Sequence, residues 1–247
     1  YYRTGSLDDA LEYWLQAFTI AKEIDDKLKI SKYVNNIGIW YWKDSDYSKA
    51  IEYYLESLQI KEELGDTRNY GKTLNNLGEV YYDMGDFNSA VDYFNKSIAI
   101  KEKLNDKIGL NATLLNLGQA QLYNTEYNEA LNIFKRSLKI SQTLNDDYVS
   151  TERFKSIGIT YFSLANYDSA AYYFNIADSL YSNYPVLRLT TSAWLAITKV
   201  EQGLKKDANE YIKIFNGMIE DSEPKSSDMI FVYWNMYQAH KSLGEIK

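Results

Sequence analysis

The residue types that most often carry chemistry are scarce in this chain of 247 residues. There is one histidine, His240, and no cysteine. A transition-metal site needs several imidazole or thiolate ligands, and a nucleophile–histidine triad needs a histidine beside its nucleophile, so neither is expected around His240 alone. That histidine is expected at the surface or an interface. The glycines are periodic and isolated, so no glycine-rich phosphate loop is formed. Carboxylates do pair, as Asp25-Asp26, Glu62-Glu63 and Asp146-Asp147. Each pair falls at a predicted helix end, where it reads as cap, dipole partner and solvated surface. No enzyme activity, metal or cofactor is therefore expected within these residues. What remains is polar chemistry suited to binding. Asn36, Asn76 and Asn116 recur every forty residues, and the column breaks at Ser156. A carboxamide both donates and accepts, so it can pair with the backbone of an extended peptide whatever the side chains. The same column could instead bond one repeat to the next.

Charge and composition limit the partners. The net charge is −7, which repels phosphate backbones, so nucleic acid is not expected to bind. No apolar run approaches the ~18 residues of a membrane-spanning helix. The lack of cysteine rules out disulfides but does not fix the compartment. With 45% hydrophobic and 25% charged residues the composition is that of a folded chain.

The elements that must position these residues are written in a second, stronger period. Gly38, Gly78, Gly118 and Gly158 are forty apart, as are Ala10, Ala50, Ala90, Ala130 and Ala170. Before each glycine stands Ile37, Leu77, Leu117 or Ile157, and three residues after it Tyr41, Tyr81, Gln121 or Tyr161. Around the alanines, Leu7, Tyr47, Phe87, Tyr127 and Tyr167 precede by three, and Trp14, Tyr54, Phe94, Phe134 and Phe174 follow by four. Apolar residues at i, i+3 and i+4 on both sides of a break predict two helices per unit. The small residues mark where the paired helices approach closely, and the aromatics fill the space beside them. Ser45-Asp46 and Gly85-Asp86 mark one break; Gly65-Asp66, Asn105-Asp106, Asn145-Asp146 and Asp25-Asp26 mark the other. Gly or Asn in the left-handed conformation ends a helix and Asp caps the next; Glu126 is a poorer cap. Helices of about 17–19 residues follow.

The expected organisation is one all-α array. It opens with the second helix of a truncated repeat at 6–26, followed by full repeats at 27–66, 67–106, 107–146 and 147–184. A shorter repeat covers 185–222, in which Ala196 and Ala208 replace the glycine and alanine, and a degenerate one covers 226–247. The half-hairpins at both ends, with no initiator Met, are read as marking a fragment of a longer protein.

The columns Leu77-Gly78-x-x-Tyr81, Ala90 and Phe94 resemble the tetratricopeptide repeat signature over about residues 6–210. The usual unit has 34 residues and a proline near its end; here Glu62 and Glu102 stand at that place and the second helix runs on. This long-repeat form is similar to peptide-binding scaffolds and to sensor regions of bacterial histidine kinases, transcriptional regulators and nucleotide cyclases. The resemblance implies a right-handed α-α superhelix whose first helices line a concave groove. With Gly78 pointing at the paired helix, ~100° per residue turns Lys72, Asn75, Asn76, Glu79 and Tyr82 toward that groove. The matching positions give Lys32, Asn35, Asn36 and Trp42 one unit earlier, Asn116 and Tyr123 one unit later, and Phe162 in the fourth. Trp42, Tyr82 and Phe162 are aromatic anchors or core. A carboxylate clamp is supplied only in part by Lys32, Asn36, Lys72 and Asn76; Ile39 and Glu79 interrupt it, and no groove arginine helps. The expected function is a protein- or peptide-binding regulatory module of a larger signalling protein. The alternative is an architectural module that dimerises or docks its own output domain through aromatics such as Trp234 and Tyr237.

Overall fold

The computed structural model describes residues 7–181 and 185–221, together with Met236, Tyr237, Ala239 and Lys241. Every element among them is a helix: α1 (Leu7–Glu23), α2 (Lys27–Lys43), α3 (Tyr47–Glu63), α4 (Thr67–Asp83), α5 (Phe87–Lys103), α6 (Lys107–Tyr123), α7 (Tyr127–Thr143), α8 (Asp147–Ser163), α9 (Tyr167–Leu180), α10 (Pro185–Glu201) and α11 (Lys205–Asp221). Trp234 and His240 lie outside the described residues. The fold is all-α, as the repeat predicts. The chain divides into two compact units, Tyr1–Thr125 and Glu126–Lys247.

The breaks behave as the sequence indicates. Asp25, Ser45, Gly65, Gly85, Asn105 and Asn145 all take positive φ. After Ser45, the N–H of Asp46 bonds the Tyr41 carbonyl and that of Ser45 the Trp42 carbonyl, the pair of bonds that closes a helix on a left-handed residue. The following aspartate then caps the next helix. Asp26 accepts from the Lys29 N–H, Asp46 from Lys49, Asp66 from Asn69, Asp86 from Ser89, Asp106 from Gly109 and Asp146 from Val149. Glu126 makes no side-chain cap bond, because its extra methylene carries the carboxylate past the N–H groups an Asp would reach. Thr125 and Ala165 are left-handed as well, although neither residue type favours that conformation and the sequence does not signal it.

In the first unit, α2 pairs with α3 and α4 with α5 around small-residue contacts. A Cβ on Gly38 would stand 2.9 Å from the Tyr54 ring, and one on Gly78 only 2.5 Å from that of Phe94. Those rings fill the absent side chains' space and are themselves buried, beside Ala50 and Ala90. Each such ring contributes roughly 1.5–3 kcal/mol of apolar burial. Tyr41 stacks on Tyr53 and Tyr81 on Tyr93, both at 5.3 Å between centroids, which ties each first helix to its partner a second time. Ser57 Oγ donates to the Ser31 carbonyl and Ser97 Oγ to that of Gly71, binding second helix to first across 3.0 and 2.7 Å.

The second unit repeats the scheme with substitutions. Gly158 meets Phe174 as Gly78 meets Phe94, and Tyr161 stacks on Tyr173. Further on, Ala196 and Ala208 are fully buried in the two small-residue positions, so α10 and α11 keep the close contact without glycine. Leu189, Ala193, Ile212, Phe215, Met236 and Ala239 complete that core.

Candidate functional site

Within the first unit, the first helices α2 and α4 bring their polar faces to one pocket of about 490 Å³. It is lined by Lys32, Asn35, Asn36, Ile39, Lys61, Asn69, Lys72, Asn75, Asn76 and Lys101. Six residues expected at the groove are thus together: Lys32, Lys72, Asn35, Asn75, Asn36 and Asn76. Lys61 and Lys101 come from the second helices α3 and α5 and were not expected there.

The two lysines form the floor. Lys61 is 4% exposed and Lys101 6%. Lys61 Nζ donates to Thr73 Oγ1 at 2.6 Å and to Asn35 Oδ1 at 3.3 Å, and Thr73 Oγ1 donates to Asn35 Oδ1 at 2.9 Å. One unit later, Lys101 Nζ donates to Thr113 Oγ1, which donates to Asn75 Oδ1 at 2.8 Å. These partners are neutral oxygens. Neither lysine forms an ion pair among the described residues. Asp66 acts on Lys61, and Asp106 and Glu79 on Lys101, only at longer range, while Lys72 adds a like charge to both. Burial dominates and pulls each ammonium down to about 8 from the 10.5 of a solvated lysine.

The asparagines separate into two kinds. Asn35 and Asn75 are held by the lysine–threonine bonds. Asn116 is held too: its Nδ2 donates to Glu79 Oε1 at 2.8 Å and approaches Asn75 Oδ1 at 3.4 Å. Glu79 also accepts from Asn75 Nδ2 at 2.9 Å. Burial raises the Glu79 carboxyl, and the two amide donors oppose that rise. Asn36 and Asn76 are half-buried, line the pocket and carry no side-chain hydrogen bond among the described residues. Two members of the carboxamide column in this unit are therefore without a side-chain hydrogen bond among the described residues, and the third is bonded to the preceding repeat.

The aromatic column is not a bare stripe. Trp42 is half-buried against the core, and its Nε1 donates to Asp83 Oδ2 at 2.7 Å. Tyr82 meets Phe87 and Tyr123 edge-on, and Tyr123 stacks on Phe87 while remaining 61% exposed. In the second unit, Phe162 packs between Tyr167 and Trp194. The columns corresponding to the pocket differ there. Lys155 is paired with Glu152 at 2.8 Å, Arg153 Nε donates to Ser137 Oγ, and Ser141 takes the position of Lys61 and Lys101.

The lysines were legible in principle. Lys61 and Lys101 share a column with Ala21 and Ser141, a buried helix-contact position where a cation is out of place. Their spacing of forty was the available signal. It was obscured because the resemblance assigns the groove lining to the first helices alone, whereas Lys61 and Lys101 reach the pocket from the second helices.

Comparison with known proteins agrees with this architecture. BtubC from P. vanneervenii has a similar structure, with a TM-score of 0.78 at 16% identity over 90% of this chain and 96% of that one. RapI in its apo form gives 0.76 at 18% identity over 92% and 69%. The Rap conjugation gene regulator of plasmid pLS20, in complex with the Phr* peptide, gives 0.62 at 17% over 81% and 56%. At these identities the likeness is one of fold. No curated relative matches by sequence. The family described as Tetratricopeptide repeat matches residues 1–63 and 31–103, and the SusR N-terminal TPR domain matches residues 86–247. With those matches and the Gly78–Phe94 type of helix contact repeated along it, the chain belongs to the tetratricopeptide repeat family.

Proposed function

We propose that this chain is a peptide-binding scaffold whose ligand lies on the first-helix face of α2 and α4, and that it serves as the regulatory module of a larger signalling protein. One observation carries the reading: Asn36 and Asn76 line an open pocket one repeat apart, their carboxamides without a hydrogen bond among the described residues. Each can accept from a peptide N–H and donate to a peptide carbonyl, which suits an extended backbone. Structural neighbours lend support. The pLS20 Rap regulator was solved with its Phr* peptide, and NprR is described as a quorum sensor. The chain spans about half the length of that Rap regulator, 56%, so the output it would control belongs to the proposal.

The test is selection of extended peptides from a random library on the intact chain, followed by fluorescence anisotropy. Asn36→Ala with Asn76→Ala is expected to weaken the selected peptides at least tenfold without changing helicity or melting temperature. Unchanged affinity in that double variant would sink the carboxamide role.

A further inference from the structure

Lys61 and Lys101 are buried amines that peptide binding through Asn36 and Asn76 leaves unused. Each stands at a helix-contact position that Ala21 and Ser141 fill without charge. Each gives its hydrogen bonds to neutral oxygens, of Asn35 and Thr73 for Lys61 and of Thr113 for Lys101. The carboxylates that act on them from a distance are engaged elsewhere. Asp66 accepts from the backbone and side-chain amides of Asn69, Asp106 accepts from the Gly109 N–H and pairs with Arg68 at 3.7 Å, and Glu79 accepts from Asn75 and Asn116. Lys72 acts on both lysines as a like charge. Lys72 is exposed on the same pocket, which no carboxylate lines, and forms no ion pair among the described residues.

Holding an ammonium out of water without a counterion is unfavourable. The strain is relieved by loss of the proton, or by chemistry that turns the amine into an anion suited to its cationic neighbours. The first is already under way. With Lys61 and Lys101 drawn down to about 8, about a quarter of each is neutral at pH 7.5, against about one in a thousand for a solvated lysine. A neutral, desolvated lysine amine is a nucleophile. Both side chains line the pocket yet are almost wholly buried, so the electrophile that reaches them must be small and uncharged. Carbon dioxide meets that demand, and its adduct is an anion.

We propose that Lys61 and Lys101 are carbamylation sites, each Nζ adding carbon dioxide reversibly to give an N-carboxylysine whose anion is stabilised by Lys72. The amine lone pair forms the new C–N bond, one C=O bonding pair of carbon dioxide moves onto its oxygen, and the nitrogen gives up one proton to water. Amine and carbon dioxide thus yield carbamate and one proton, with nothing oxidised or reduced. The Thr73 and Thr113 hydroxyls, which now accept from the ammonium groups, can rotate to donate to the carbamate instead. Modification reverses the sign of the pocket floor, which makes the pocket sensitive to carbon dioxide whatever else it binds.

The experiment equilibrates the 247-residue chain with ¹³C-bicarbonate, the source of dissolved carbon dioxide, at pH 7.5. Carbamates are trapped as ethyl esters with triethyloxonium ion and mapped by mass spectrometry of the digested chain, and ¹³C NMR of the untrapped protein reads them at equilibrium. Occupancy at Lys61 and Lys101 is expected to exceed that at exposed lysines such as Lys32 and Lys107 at least tenfold, and the carbamate resonances should vanish when bicarbonate is removed. Lys61→Met with Lys101→Met should abolish them. Lys72→Gln, at an exposed position, should lower occupancy at both sites at least threefold, and it carries the test if the double variant does not fold. Label confined to the α-amine, or spread evenly over the lysines, overturns the inference, as does unchanged occupancy in Lys72→Gln. Peptide affinity does not enter these readouts, so the peptide reading stands or falls separately.

Discussion

Thr73 Oγ1 lies 2.9 Å from Asn35 Oδ1, and the bond recurs forty residues later between Thr113 Oγ1 and Asn75 Oδ1 at 2.8 Å. Each threonine also receives the ammonium of a second-helix lysine, so three helices meet at each of these points. The bonds divide the polar face of the first helices in two. Asn35 and Asn75 fasten one repeat to the next, and Asn36 and Asn76, one residue further round each helix, line the pocket without a side-chain hydrogen bond among the described residues.

The buried lysines should give stability an unusual pH dependence. Lys61 and Lys101 titrate near 8 in the folded chain and near 10.5 when solvated. Between those values the unfolded chain binds more protons, so folding becomes more favourable as pH rises. Buried tyrosines such as Tyr82, raised by burial, act the other way once solvated tyrosines ionise near 10. The lysine effect is therefore read between pH 8 and 10. The urea midpoint is expected to rise across that window, and to rise distinctly less in Lys61→Met with Lys101→Met. Parallel midpoints for the two proteins would contradict it.

How much of this was legible in the sequence depends on range. The helix breaks are local: Gly65-Asp66 and Asn105-Asp106 state a left-handed residue and a cap, and both appear as such. The pairing of helices was legible because Gly78 and Phe94 need each other, a small residue for a ring. The free and bonded asparagines look identical in the sequence. Asn116 differs from Asn76 only because Glu79, in the preceding first helix, accepts its amide, and no such carboxylate stands at Ile39. That distinction depends on groups a full repeat apart, which helical geometry within one element does not reveal.

The glycine contact predicts a graded response. A methyl group on Gly78 would meet Phe94 Cε1 at 2.5 Å, whereas on Gly38 it would meet Tyr54 at 2.9 Å. Gly78→Ala should destabilise by about 1–3 kcal/mol through overpacking, and by more than Gly38→Ala. Phe94→Leu in the Gly78→Ala background should recover part of the loss, because it withdraws the ring atoms from the added methyl. Chemical denaturation of the native chain, Gly38→Ala, Gly78→Ala, Phe94→Leu and the double variant checks this; strictly additive losses in the last would show that Gly78 and Phe94 do not share the space.

Two loops carry residues that the repeat itself shows how to improve. Glu126 caps without a side-chain bond where Asp46 and Asp86 make one. Glu126→Asp should raise stability by about 0.5–1 kcal/mol. Ala165 sits at φ 56, where Gly85 occupies the matching turn at φ 79. Ala165→Gly should relieve left-handed crowding, with a net gain of about 0.5–1 kcal/mol after glycine's extra chain entropy. Thermal melts of the single variants decide each, and a lowered melting temperature in either would refute the local account.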